Sequence, residues 1–231
     1  MATTARPAFS WTDALAGLRR PGPPPPGLLR MAVRLLAACA IAIGVLTWLG
    51  HRRGVPHHYF REWQAGTFLS VGVLVASGLL CALIGWRLRR TSFARFWWLT
   101  APAFIYLGLD DLLSMHEGID FLLHKRFGLD PRDPVTRHGD DLIVALYGVL
   151  ALVFAYTYRA ELARLRWMVL SLGVAFVPFA TMVVFDLMNW PQAVEDSLKL
   201  LAGTLIFIGF YAGSLQLRQE PALTIGAPSA C

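Results

Sequence analysis

Six apolar segments follow one another along this chain, and each is close to the length of about 20 residues that a helix needs to cross a bilayer. They cover residues 30–50, 64–86, 96–116, 141–159, 167–189 and 196–217. The chain is 56% hydrophobic and only 16% charged, whereas soluble domains carry about 25% charged residues. A soluble protein of this size could not cover so much apolar surface. The sequence therefore predicts an all-α, polytopic membrane protein with six transmembrane helices.

Polar segments flank the apolar ones at both ends of the chain. Residues 19–27 read RRPGPPPPG, and a proline run of this kind is incompatible with a helix and favours a stiff, extended spacer. We therefore expect three parts: a Pro-rich cytoplasmic tail over residues 1–27, a six-helix transmembrane domain over residues 28–218, and a cytoplasmic C-terminal tail over residues 219–231.

Charge is distributed unequally between alternate connections. If the N-terminus is cytoplasmic, thirteen of the 21 basic residues lie on the cytoplasmic side, together with three acidic residues. The opposite side then holds twelve of the 15 acidic residues and all six histidines. The positive-inside rule therefore predicts both termini in the cytoplasm of a bacterial inner membrane. The predicted partners are the lipid bilayer and a second membrane protein. No nucleic-acid partner is expected, because the basic residues flank apolar runs and form no stripe of their own.

One stretch, Leu107 to His124 (LGLDDLLSMHEGIDFLLH), starts inside the third apolar segment yet is rich in ionisable residues. These are Asp110, Asp111, His116, Glu117, Asp120 and His124. A charged side chain at the bilayer centre costs roughly 2.5–3.5 kcal/mol, so such groups are kept where a partner, a cation or the interface offsets the cost. On one continuous helix, all of them except Asp111 share an arc of roughly 160°. We expect pairs at i, i+4 spacing, namely His116 with Asp120 and Asp120 with His124.

More carboxylates fall on the same side of the predicted bundle. Asp186 lies near the end of the fifth segment, and Glu195 and Asp196 open the sixth. Carboxylates and imidazoles at one level repel unless they are protonated, separated or bridged, and a mixed set suits a divalent metal such as Zn, Fe or Mn. The predicted metal ligands are Asp110, His116, Asp120, His124, Asp186, Glu195 and Asp196. Glu117 and Asp111 are the predicted catalytic carboxylates, with Glu117 as the general base for a metal-activated water.

The alternative interpretation is structural: acids such as Glu195 and Asp196 at a helix start can cap free N–H groups and meet a favourable dipole. Three functions therefore stay open. The first is a metal-dependent hydrolase of a lipid-like substrate in the periplasm. The second is a non-enzymatic accessory or assembly subunit. The third is a cation or proton transporter, which the lack of acids in the cytoplasmic half of every helix disfavours.

Two short motifs resemble a known group of proteins. The runs LDDLLSMHE (residues 109–117) and VEDSLKLLAG (residues 194–203) are similar to segments of uncharacterised bacterial multi-pass membrane proteins, which carry an LDExxxxHE-like helix and a later acidic helix start. Asp111 stands where that group tends to have Glu. The resemblance covers about residues 60–217 and implies the architecture but no activity. Ser114, Asp111 and His116 also resemble part of the site of ceramidase-like hydrolases, but the seventh helix and the last-helix histidines of those enzymes have no counterpart here.

Overall fold

A computed structural model describes residues 22–55, 57–60, 63–128, 139–188 and 190–219, without the side chains of residues 140, 141 and 187. The two predicted tails lie almost entirely outside these ranges. Within them all regular structure is helical: α1 (Leu28–Arg52), a 3-10 turn (His58–Phe60), α2 (Ala65–Arg87), α3 (Ala94–Leu113), α4 (Met115–Phe127), α5 (Gly139–Thr157), the short α6 (Arg159–Leu162), α7 (Arg166–Leu187) and α8 (Gln192–Gln219). The predicted all-α class is confirmed.

Four segments are long and apolar enough to cross a membrane: Leu28–Arg52, His58–Arg87, Arg166–Asp186 and Gln192–Gln219. They support the predicted class of integral membrane protein. The apolar part of α5, Leu142–Thr157, is shorter, and α3 carries two aspartates and two tryptophans that lower its mean hydropathy. Six membrane crossings therefore remain a prediction, while four candidate spans are a finding.

Two tightly packed helix pairs, α2 with α3 and α7 with α8, form the frame of the bundle. Helix α2 also packs on α8, and α1 lies against the outside of α8. The glycines of α2 and α8 allow this close approach. A Cβ atom at Gly78 would stand 2.8 Å from the carbonyl oxygen of Ala101, and one at Gly213 would stand 2.6 Å from Sδ of Met168.

The best-packed region lies at one end of the bundle, which we call the aromatic end. Its centre is Trp97, which is fully buried and contacts Phe210 edge-on at a ring distance of 6.1 Å. Phe96 stacks on Phe154 of α5 at 5.3 Å. The apolar residues around them come from the C-terminal ends of α2, α5 and α8 and the N-terminal ends of α3 and α7. The opposite end of α3, α7 and α8 carries aspartate and glutamate residues, and we call it the acidic end.

The predicted continuous helix through Leu107–His124 is wrong. Ser114 adopts the left-handed conformation, with φ 47° and ψ 44°, so that α3 ends at Leu113 and α4 begins at Met115. A non-glycine residue in this region costs roughly 1–2 kcal/mol, and hydrophobic periodicity gives no signal for one. The ionisable residues of this stretch therefore do not share one helix face, because the residues before and after Ser114 belong to different helices.

Candidate ligand-binding cavity

A cavity of about 580 Å³ opens at the acidic end, between α2, α3, α4, α5, α7 and α8. Seven of the nine predicted site residues line it: Asp110, Asp111, His116, Glu117, Asp186, Glu195 and Asp196. They come from α3 and α4, which are consecutive, and from α7 and α8 much later in the chain, and the antiparallel order of the bundle brings them to one level. Asp120 and His124 do not line the cavity.

The lining changes character along the helices. On α8 it begins with Gln192 and the acidic residues, passes Lys199, and continues to Gly203 and Ile206. From Glu195 to Ile206 is about 16 Å at 1.5 Å per residue. Apolar groups from the other helices line the same inner part: Leu74, Phe104, Leu107, Val144, Ala151, Phe179, Met182 and Val183. The cavity therefore has a polar part and an apolar part that are continuous with each other.

A lysine joins two of the predicted site carboxylates. Nζ of Lys199 lies 3.0 Å from Oδ1 of Asp111 on α3 and 3.4 Å from Oδ1 of Asp196, one turn away on α8. The second oxygen of each carboxylate is buried and accepts no hydrogen bond from the described part of the chain. Lys199 was assigned no role from sequence, although its i, i+3 spacing from Asp196 was a visible signal. It supplies at this point the positive charge that a metal was predicted to supply.

Asp110 is bound twice to His116. Oδ1 of Asp110 accepts a hydrogen bond from the backbone N–H of His116 at 2.9 Å, and Oδ2 lies 3.1 Å from Nδ1 of the same residue. The carboxylate is only 4% exposed. The predicted pairing of His116 with Asp120 is wrong, because the turn at Ser114 brings His116 back toward the end of α3. An ionised carboxylate only accepts, so Nδ1 carries the proton, and in the neutral ring Nε2 is an acceptor.

The second pair, Asp120 with His124, forms as predicted. Nδ1 of His124 lies 3.1 Å from the Asp120 carboxylate, one helical turn earlier. The carboxylate occupies the space that a Cβ atom at Gly139 would need, so this pair lies against the start of α5. Nε2 of His124 is buried and has no hydrogen-bond partner in the described ranges. The pair therefore joins α4 to α5, away from the cavity.

The other three predicted residues lie at helix ends within the cavity lining. Glu117 is in the first turn of α4 and Glu195 is in the first turn of α8, where the helix dipole favours an anion. Asp186 is in the last turn of α7, where the dipole is unfavourable. All three have interactions with other groups.

In the part of the chain that the structure describes, no three His, Cys, Asp or Glu side chains are grouped closely enough to hold a metal ion. Instead of grouping with one another, Asp111 and Asp196 contact Lys199, and Asp110 contacts His116. The predicted metal and the predicted ligand and catalytic roles stay predictions.

Three comparisons with known proteins bear on identity. A search of curated proteins returned no match, and a search of solved structures returned none either. The profile of one family, described as a domain of unknown function (DUF8692), matches residues 22–213. This range includes all nine predicted site residues and every helix that lines the cavity. The chain therefore belongs to the DUF8692 family.

Proposed function

We propose that this protein binds a lipid-like, amphipathic molecule in the cavity at its acidic end. The observation that carries the proposal is the continuity of the polar and apolar parts of one cavity. A volume of about 580 Å³ falls within the range of roughly 300–1,000 Å³ that is typical of small-molecule sites. A wholly polar ligand would leave the apolar part unfilled, and a wholly apolar one would exclude water from the charged groups of the polar part.

The proposed setting is a bacterial inner membrane crossed six times, with both termini in the cytoplasm. The distribution of basic residues supports this orientation, which places the acidic end and its cavity on the periplasmic side. A ligand would then enter from the outer leaflet or the periplasm. A periplasm-active reporter fused after Pro131 is expected to be active, and one fused after Arg90 silent. The reverse pattern would contradict the orientation.

Hydrolysis of the bound molecule is the reaction class that we propose for this site. Asp111 and Glu117 both line the cavity, and a carboxylate within reach of a water can act as a general base. A divalent metal at the acidic end would activate that water as a Lewis acid. Elemental analysis of the purified protein tests the metal separately. One equivalent of Zn, Fe or Mn supports it, and a metal-free protein with intact stability contradicts it.

The amphiphile proposal is tested by filling the apolar part of the cavity. Ala151 of α5 lines this part, whereas its neighbour Leu150 is 56% exposed and does not line it. We expect native mass spectrometry of the wild-type protein to show a bound lipid-like molecule that organic extraction releases. Ala151→Trp should lose this molecule because the indole occupies its space, and the matched control Leu150→Trp should retain it.

Either of two results would contradict the proposal. One is a wild-type protein that carries no such molecule after purification in lipid nanodiscs and binds none that is added. The other is an Ala151→Trp variant that folds, as judged by thermal unfolding, and binds as well as the Leu150→Trp control.

A further inference from the structure

We infer that the ligand of this cavity has a head group that donates hydrogen bonds, an amine above all, and that His116 accepts one of them. This inference rests on the proposed function and names the class of amphiphile. It depends on three features of the acidic end: the direction of the Asp110–His116 pair, the position of Lys199, and two carboxylate oxygens that lack donors.

The Asp110–His116 pair sets the hydrogen-bonding character of the histidine. Asp110 is buried and holds both the backbone N–H and Nδ1 of His116. Nε2 is on the opposite edge of the ring, and His116 lines the cavity. In the neutral ring, a proton on Nδ1 leaves Nε2 with a lone pair for whatever enters. A hydroxyl or an amine can use it, while an ionised phosphate or carboxylate cannot.

The carboxylates of Asp111 and Asp196 also present hydrogen-bond acceptors. Asp111 and Asp196 each place one oxygen on Lys199 and keep the other buried with no donor from the described residues. A buried acceptor without a donor is unfavourable, and the negative charge of these two carboxylates favours a cationic donor beside Lys199. The unused hydrogen-bonding capacity of the two carboxylates therefore consists of acceptors.

Lys199 shows which group this end of the cavity accommodates. Its ammonium lies between two carboxylates from different helices, at 3.0 and 3.4 Å. A primary amine on a ligand is chemically the same group and would meet the same acceptors. Lys199 is therefore also a competitor, and its removal should favour an amine ligand.

The experiment compares three probes with the same twelve-carbon chain: dodecylamine, dodecyl phosphate and dodecanoate. Each is titrated calorimetrically into the full-length protein in phosphatidylcholine nanodiscs, with EDTA present and with empty nanodiscs as the reference. We expect dodecylamine to bind saturably at one equivalent. The two anionic probes should bind on the order of tenfold more weakly or worse, because they offer no donor and meet carboxylates.

Variants locate the site. His116→Ala should weaken dodecylamine binding on the order of tenfold. Asp110→Asn should weaken it as well, because an amide N–H directed at Nδ1 moves the ring proton to Nε2 and turns the acceptor into a donor. Lys199→Met should strengthen binding by removing the competing ammonium. The matched controls are His124→Ala and Asp120→Asn, which change the second Asp–His pair of α4 and should bind like wild type.

The outcomes separate this inference from the proposed function. If none of the three probes binds, the amphiphile site itself is refuted. If an anionic probe binds as tightly as dodecylamine, the amphiphile site stands and the donor head group is refuted. Equal losses in His116→Ala and His124→Ala would also refute the role given to His116, and a weaker Lys199→Met variant would refute the competition.

Discussion

The two ends of this bundle differ in packing, although α3, α5, α7 and α8 contribute to both. At the aromatic end Trp97 is fully buried among side chains from five helices. At the acidic end the same helices separate around a cavity of about 580 Å³. A chain that leaves this much space unfilled loses dispersion contacts there, and the aromatic end holds the helices in place without filling that space. We infer that stability is concentrated at the aromatic end and that the proposed ligand site lies at the acidic end.

The largest expected effect of a substitution is at the aromatic end. Trp97→Ala removes the largest fully buried side chain and should lower the free energy of unfolding by about 3–5 kcal/mol. Unfolding in mixed detergent micelles measures this. The concentration of stability at this end would be refuted by a loss below about 1 kcal/mol.

Close helix packing between the two ends should show the next largest effect. Gly78→Ala directs a Cβ at the backbone of α3 and should cost roughly 1–3 kcal/mol. Gly72→Ala is the matched control on α2, since nothing lies within 4 Å of a Cβ there. It should be neutral or stabilising by up to about 1 kcal/mol, because alanine is the better helix former. A larger loss of stability in Gly72→Ala than in Gly78→Ala would show that α2 and α3 approach each other elsewhere.

The two Asp–His pairs at the acidic end should differ in their contribution to stability. Asp110→Ala leaves the backbone N–H and a ring nitrogen of His116, both part-buried, without their acceptor and should cost about 1–3 kcal/mol. Asp120 is more exposed, at 20% for its side chain against 5%, so Asp120→Ala should cost about half as much or less. Thermal unfolding in nanodiscs compares them directly. If Asp120→Ala is the more damaging change, the second pair is the main anchor of α4.

The smallest expected effect is at the break between α3 and α4. Ser114→Gly removes the strain of a positive φ, while the added backbone freedom of the unfolded chain opposes this, so the net change should be within about 1 kcal/mol. Ser114→Val should destabilise, since a β-branched residue tolerates this conformation poorly. If Ser114→Val matches wild type in stability, the turn is not held in the left-handed region.

The all-α class could be predicted from the sequence, because long apolar segments indicate membrane helices, and four candidate spans are found. The convergence of acids from α3, α7 and α8 also followed from an antiparallel order of helices. The turn at Ser114 could not be predicted, since a left-handed serine depends on its tertiary surroundings. For the same reason the partner of His116 was assigned wrongly.

The role of Lys199 was missed for a different reason. It contacts Asp111 across 88 positions of sequence, and no local spacing rule connects residues on separate helices. A count of charges showed that the acids needed compensation, and a metal was the simplest general answer. The fold also provides a lysine at this point, and this lysine changes the ligand that we expect.

The most direct measurement of the central claim compares the reactivity of His116 and His124 within one protein. Diethyl pyrocarbonate acylates accessible, unprotonated imidazole nitrogens, and mass spectrometry of peptides gives the rate at each residue. We predict that His116 reacts on the order of tenfold faster than His124, because its ring lines the cavity while Nε2 of His124 is buried. Asp110→Asn should slow the reaction at His116 by moving the proton to Nε2. Equal rates at the two histidines, or a faster reaction at His124, would contradict the account.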